Sequence, residues 1–165
     1  MRVGIALGSN LGDRVANLRA ARKAIVDLIG AKSHLVSPVY ETAPVGCEPG
    51  AGKFLNAVLE TEYDGDPTEL LDELIRVEES LGRDRDHGQN VSRKIDIDLL
   101  YADDLNVQNE RLQLPHPRMH LRRFVLQPLA DIRPDLVLSN QTRTVSELLA
   151  RAEDSTKVTC FSEKW

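Results

Sequence analysis

A chain of 165 residues, 41% hydrophobic and 28% charged, can bury a core without disulfide or metal staples. Its net charge of −5 argues against nucleic acid or an anionic membrane as a partner for the whole chain, and 4% aromatic content leaves no stacking platform for single strands. Cys47 and Cys160 form no C-x-x-C pair, the first apolar run is too short for a signal peptide, and no stretch approaches a membrane span. The expectation is one cytoplasmic domain over 1–165, read as a monomer.

The run VGIALG, residues 3–8, predicts a strand with Val3, Ile5 and Leu7 on one face. The turn GSNLGDR leads into a helix whose apolar stripe is Leu18, Ala21, Ile25, Leu28 and Ile29, with Gly30 as its stop. A second strand is expected near 34–40, where Pro38 argues for an edge or an irregularity. Residues 41–53, rich in Gly and Pro, read as a loop, and 54–63 as a third strand. Asp66, Pro67 and Glu69 make an N-cap, an N1 proline and a reciprocal N3 carboxylate. The helix they start carries Leu70, Leu71, Leu74, Ile75, Val77 and Leu81, and Gly82 ends it.

Residues 83–94 have no apolar periodicity and form a long connection, expected to be mobile without ligand and to close over one when it binds. SRKIDIDLLY, residues 92–101, reads as the next strand, followed by a short hairpin through 102–108. Residues 114–132 read as a loop entering short helical segments interrupted by Pro128, and Thr144 with Glu147 caps a last helix near 145–152. The order β-α-β-β-α-β predicts an α+β, ferredoxin-like sandwich with an antiparallel sheet and a C-terminal helical extension.

The strand at 92–101 poses the chemical question. Ile95, Ile97 and Leu99 point one way and Asp96 and Asp98 the other, roughly 6–7 Å apart at strand rise. Two like charges on one face repel and desolvate each other unless a cation sits between them. A solvated edge face competes with a magnesium site. Arg83, Arg85, Arg93 and Lys94 lie on the preceding loop, where arginines beside a metal-carboxylate pair suit a polyphosphate. Glu78 extends the Leu71–Ile75 stripe and needs a partner on that face, a site arginine or water, unless it reaches solvent at the boundary. Asn56, sharing a strand face with Phe54 and Val58, either reads the polar edge of a flat heterocycle or ties down the preceding loop. His116 and His120 have zinc-pair spacing, but Pro117 takes the N1 position and no third ligand is in view. His116 beside Arg122 and Arg123 reads better as a phosphate contact. GSNLG after the first strand offers either backbone donors to a flat ligand or an ordinary tight turn.

The segments GSNLGD, YETAPVG, FLNAV, RVEESLGR, SRKIDIDLL, LPHPRM and RRFVLQPL occur in an order and spacing that resembles the 6-hydroxymethyl-7,8-dihydropterin pyrophosphokinase family. The resemblance spans residues 3 to about 138. It implies transfer of the pyrophosphoryl group of ATP to a reduced pterin in folate biosynthesis, by attack on the β-phosphorus with AMP leaving. By matching motif, Asp96 and Asp98 would hold two Mg²⁺ ions with ATP. Arg83, Arg93, His116 and Arg122 would contact phosphate and nucleotide, with Glu78 and Arg85 nearby. Gly8, Thr42, Ala43, Val45, Phe54, Asn56 and Phe124 would form the pterin pocket, the ring lying between two aromatics. Asn90-Val-Ser-Arg93 stands where many relatives read W-G-P-R, and Phe54 stands where tyrosine is frequent. Two other classes are weighed: a non-catalytic ferredoxin-like binding module, and a metal-dependent phosphohydrolase using the same aspartates to activate water.

Overall fold

The computed structural model describes residues 1–44, 49–82 and 92–165. The elements are β1 (Arg2–Ser9), α1 (Arg14–Ile29), β2 (His34–Val36), β3 (Val39–Thr42), β4 (Phe54–Glu62), α2 (Pro67–Ser80) and β5 (Asp96–Ala102). They continue with β6 (Val107–Gln108), β7 (Gln113–Leu114), a 3₁₀ turn (Met119–Leu121), α3 (Arg123–Ile132), α4 (Val145–Arg151) and β8 (Val158–Ser162). A six-stranded sheet runs β5-β1-β4-β3-β8, with β2 also on β4, and every pairing in it is antiparallel. No helix among the described residues is long and apolar enough to cross a membrane.

Period-two alternation splits the core into two layers. Val3, Ile5 and Leu7 of β1, Leu55, Ala57 and Leu59 of β4, and Ile97 and Leu99 of β5 face α1 and α2. The opposite face packs Val58, Leu100 and Tyr101 against Met119, Val125, Leu126 and Leu129, under α3 and α4. A bulge lets Leu100 and Tyr101 point to the same side: Ile5 pairs with Leu99 while Gly4 pairs with Tyr101. Tyr101 then lies across Gly4, where an added Cβ would stand 2.1 Å from its ring, and its hydroxyl donates to buried Glu60 at 2.6 Å. Arg133 donates Nε to the same carboxylate at 2.8 Å. Burial first, then that bond to Glu60, pushes the Tyr101 phenol pKa up, so it stays a donor.

Helix α1 starts on the Asp13 side chain, which accepts the Ala16 N–H, and ends on Gly30 in the left-handed region. Asp66 caps α2 through the N–H groups of Thr68 and Glu69. The stripes are narrower than predicted: Leu28 is 43% exposed and Ile75 is 37% exposed, each just off the buried face. The expected strand at 34–40 is two strands. Val36 faces Leu59 whereas Tyr40 faces Asn56, so the stretch around Pro38 accommodates one extra residue. Ser37 bridges the break, its hydroxyl accepting the Val58 N–H at 2.9 Å.

Pro128 does not interrupt α3, which runs through it. Buried Val125, Leu126 and Leu129 hold the helix on the sheet, offsetting the ladder bond that proline cannot donate. The C-terminal extension is more than helical. After α4, capped by the Thr144–Glu147 box, β8 joins the sheet beside β3. Trp165 then buries its ring on the first core layer and donates Nε1–H to the Ser37 carbonyl at 2.7 Å.

Candidate active site

At the end of the sheet beyond the α3 core, the face of β1, β4 and β5 opens into a cleft of about 250 Å³. Gly8, Phe54, Asn56, Asp96 and Asp98 line it from the strands. Thr42 and Ala43 line it from the end of β3, Arg93 from the entry to β5, and Arg122 and Phe124 from the start of α3. Ten predicted site residues, scattered over 117 positions of sequence, meet in that one cleft. Val45, Arg83, Arg85 and residues 83–91 of the expected closing loop 83–94 lie outside the described residues.

Each lining residue is set by its element. Gly8 faces Asn56 across β1 and β4, and Asp96 across β1 and β5. A Cβ on Gly8 would stand 3.4 Å from Asn56 Oδ1, 3.8 Å from Asp96 Cβ and 3.9 Å from the Phe54 ring. The missing methyl leaves a flat floor bounded by an amide, a carboxylate and an aromatic. Asn56 donates Nδ2–H to Thr42 Oγ1 at 2.9 Å. The nitrogen end of this amide thus ties β4 to the end of β3, as one of its two readings expected, and its oxygen borders the floor.

Asp96 accepts from Arg93 Nη1 at 2.6 Å. The Arg93 backbone is itself clasped, its N–H donating to Asn10 Oδ1 at 2.7 Å and its carbonyl accepting the Asn10 N–H at 3.2 Å. Buried Asn10 also donates Nδ2–H to Ser92 Oγ and to the Gly52 carbonyl. One amide in the GSNLG turn thus ties the first turn, the 43–53 loop and the approach to β5 together. Asn10 escapes sequence reasoning because an asparagine in a glycine-flanked turn has an adequate local role.

Glu78 does not line the cleft. It is 1% exposed and accepts the Ile97 N–H at 2.6 Å, the peptide between the two aspartates. β5 is an edge strand, so its outward N–H needs an acceptor, and α2 supplies one. Among the described residues, one partner of this carboxylate is therefore a peptide of the aspartate-bearing strand.

Asp98 also borders a second concavity of about 230 Å³, lined by Leu71, Leu99, Arg111, Gln113, His116 and Pro117 among others. His116 Nδ1 accepts the Arg118 N–H at 3.2 Å, which leaves the ring proton on Nε2. Burial, then the charges of Arg122 and Arg118, lowers its pKa to about 4, so the ring is neutral at pH 7. Burial and Arg118 lower the Arg122 pKa, while Asp98 and Asp96 act in the opposite direction. No group of three or more metal-binding side chains assembles around His116 and His120 or elsewhere among the described residues. Arg111, Gln113, Leu121 and Asp154 were not predicted. Nothing in the local sequence marks them; the β6–β7 hairpin brings Arg111 and Gln113, the 3₁₀ turn brings Leu121 and the chain after α4 brings Asp154.

The sequence profile of the 7,8-dihydro-6-hydroxymethylpterin-pyrophosphokinase family matches residues 4–134. The chain belongs to that family. It is 42% identical over 152 residues to the 2-amino-4-hydroxy-6-hydroxymethyldihydropteridine pyrophosphokinase of Haemophilus influenzae, across 91% of this chain and 92% of that one. The Bacillus subtilis enzyme of the same name is 43% identical over 128 residues, covering 78% and 75%. Among solved structures, the Plasmodium falciparum HPPK-DHPS wild type with pteroate superposes with a TM-score of 0.68 at 15% identity, over 91% of this chain and 42% of that chain. An HPPK-DHPS in complex with substrates gives a TM-score of 0.69 at 13% identity, over 90% and 42%. This chain therefore spans less than half of those chains, and the likeness to them is one of fold. The fold is the ferredoxin-like α+β sandwich of the pyrophosphokinase family, extended at its C-terminal edge by β8.

Proposed function

We infer that this protein transfers the pyrophosphoryl group of ATP to the hydroxymethyl group of 6-hydroxymethyl-7,8-dihydropterin, releasing AMP and the pterin diphosphate, a step of folate biosynthesis. The observation that carries the reading is the position of Asp98, shared by two adjoining concavities of similar size. One, with Phe54, Phe124, Asn56 and a glycine floor, suits a flat heterocycle: aromatic faces stack it and the amide reads its polar edge. The other, with Leu71, Leu99, Arg111 and His116, suits a nucleoside and its phosphates. A transfer between two bound molecules needs such a junction, and a one-substrate phosphohydrolase or a plain binding module does not.

The pair Asp96 and Asp98 offers a hard, oxygen-only donor set, which fits Mg²⁺ completed by phosphate oxygens and water. Magnesium held there, two ions with ATP, would neutralise phosphate charge and acidify the pterin hydroxyl. Arg93 and Arg122 add fixed positive charge where the negative charge of the transferring group develops. His116, neutral with its proton on Nε2, donates a hydrogen bond to phosphate without a net charge. The hydroxyl oxygen attacks the β-phosphorus, the bond to the α-phosphate oxygen breaks, and the electron pair leaves with AMP. Positioning supplies much of the acceleration. Arg83, Arg85 and Val45 complete the proposed site, in a cytoplasmic monomer.

Product analysis tests the reading. With ATP, reduced pterin and Mg²⁺, AMP and the pterin diphosphate should appear in equal amounts, and chelation should stop both. ADP with a pterin monophosphate would make the protein an ordinary kinase, and phosphate release without pterin would favour the phosphohydrolase.

A further inference from the structure

We propose that Asp154, in the chain after α4, is a positioning residue for the pterin wall, an inference that rests on the reading above. The first turn of a helix leaves backbone N–H groups without partners, normally covered by Ser, Thr, Asp or Asn at the N-cap. In α3 that position is Arg122, which makes no side-chain cap bond. Its own carbonyl accepts from Val125 and Leu126, each at 3.0 Å. The Arg123 N–H is covered from elsewhere in the chain: Asp154 Oδ2 accepts it at 2.9 Å, while Oδ1 accepts the Thr156 N–H at 2.8 Å. A carboxylate at this end of the helix also complements its dipole.

The placement is what gives this cap a functional consequence. Arg123 sits between Arg122 and Phe124, and all three belong to the turn that walls the cleft. The Arg122 guanidinium stands 5.4 Å from the centre of the Phe124 ring, so the two side chains form one surface. Asp154 itself lines the same cleft. Burial would raise its pKa, but the Thr156 and Arg123 hydrogen bonds outweigh that and hold the carboxyl below its usual range, so it stays an acceptor. An N-cap borne by Arg122 itself would have cost the site an arginine. Moving the cap to position 154 leaves position 122 free to carry a guanidinium into the cleft, and it couples the aromatic wall to the C-terminal segment.

The test uses the full chain and three variants. Asp154→Ala removes the acceptor, Asp154→Asn keeps a carbonyl oxygen to receive the Arg123 N–H, and Thr144→Ala breaks the cap of α4 away from the cleft. Amide exchange at 122–126 in the free protein should quicken about tenfold in Asp154→Ala and stay near wild type in the other two. Affinity for 6-hydroxymethylpterin, measured with a non-hydrolysable ATP analogue and Mg²⁺ present, should fall about tenfold in Asp154→Ala. It should recover to within about threefold in Asp154→Asn and hold in Thr144→Ala. The KM for pterin should rise more than kcat falls. Unchanged exchange in Asp154→Ala, unchanged pterin affinity despite faster exchange, or an equal loss in Thr144→Ala would each overturn the proposal. Failure of the wild-type protein to bind pterin would instead refute the functional reading, and this inference with it.

Discussion

Gly4 and Gly8 lie on the same face of β1, four residues apart, and the molecule treats the two gaps differently. At Gly4 the protein fills the space itself, with the Tyr101 ring 2.1 Å from where a Cβ would be and its hydroxyl donating to Glu60, which also accepts from Arg133. Glu60 is 4% exposed there and Tyr101 is 1% exposed. At Gly8 no neighbour among the described residues comes closer than 3.4 Å to the same position, and Asp96, Asn56 and Phe54 surround an opening to the cleft. Both ends gather carboxylate, arginine and aromatic groups. The closed end buries its carboxylate and stabilises the fold, whereas the open end leaves the Asp96 side chain 30% exposed beside the cleft.

The comparison is tested most severely by the aspartates of the open end. Asp96→Asn and Asp98→Asn should each lower turnover by at least about a hundredfold, the scale of a lost metal ligand. Neither should lower Tm by more than a few degrees, because each removes one charge from a like-charged pair and keeps its shape. Steady-state assays beside thermal melts decide it, and near-normal turnover in both would return the pair to a merely solvated face.

The glycines themselves come next. Gly4→Ala should cost about 2–4 kcal/mol, since the methyl displaces the Tyr101 ring and loosens a buried hydrogen bond. In a domain of this size that is a fall in Tm of roughly 5–15 °C, with activity per folded molecule little changed. Gly8→Ala should do the reverse. Its stability should stay within about 1 kcal/mol, while pterin affinity drops at least about tenfold, about 1.4 kcal/mol, because the methyl stands on the floor. Denaturant melts and pterin titrations of the two variants would break the comparison if both lost the same quantity.

Asn56→Ala should weaken pterin binding by about 1–3 kcal/mol, leaving polar edges of a buried ring unpaired, with ATP affinity little altered. Calorimetric titration of each ligand separates this from a general collapse of the site.

The smallest effect is a pH dependence. His116 is neutral in the fold down to about pH 4, while the unfolded chain takes up its proton near pH 6.5. The unfolded state therefore binds more protons in that window, and stability falls as pH drops from about 6.5 to about 4. Allowing for the partial exposure of the ring, the loss is about 1–2 kcal/mol. Urea melts at pH 7 and pH 4.5 should show a shallower pH dependence in His116→Gln than in wild type.

Much of the open end was legible in the chain itself. Period-two alternation put Asp96 and Asp98 on one face and the isoleucines on the other, and a strand's geometry does not depend on its neighbours for that. Asp66 and the Thr144–Glu147 box announced their helices because caps act within a single turn. The partners were not legible. Glu78 was recognisable as a carboxylate that needs a partner unless it reaches solvent, but one donor it meets is a peptide N–H on an edge strand, which no side-chain pattern records. The closed end was equally silent, since Tyr101 reaches Glu60 only through a bulge on β5 and a glycine on β1.

The C-terminal stretch marks the boundary most sharply. By itself the sequence determined a helix there and little else, because the signals it carries are local in the chain. That β8 extends the sheet beside β3, that Trp165 closes the first core layer and that Asp154 reaches the first turn of α3 were decided by tertiary structure alone. Strand pairing and remote capping each use backbone N–H groups that are alike along the chain, so only the packed chain selects which acceptor each one meets.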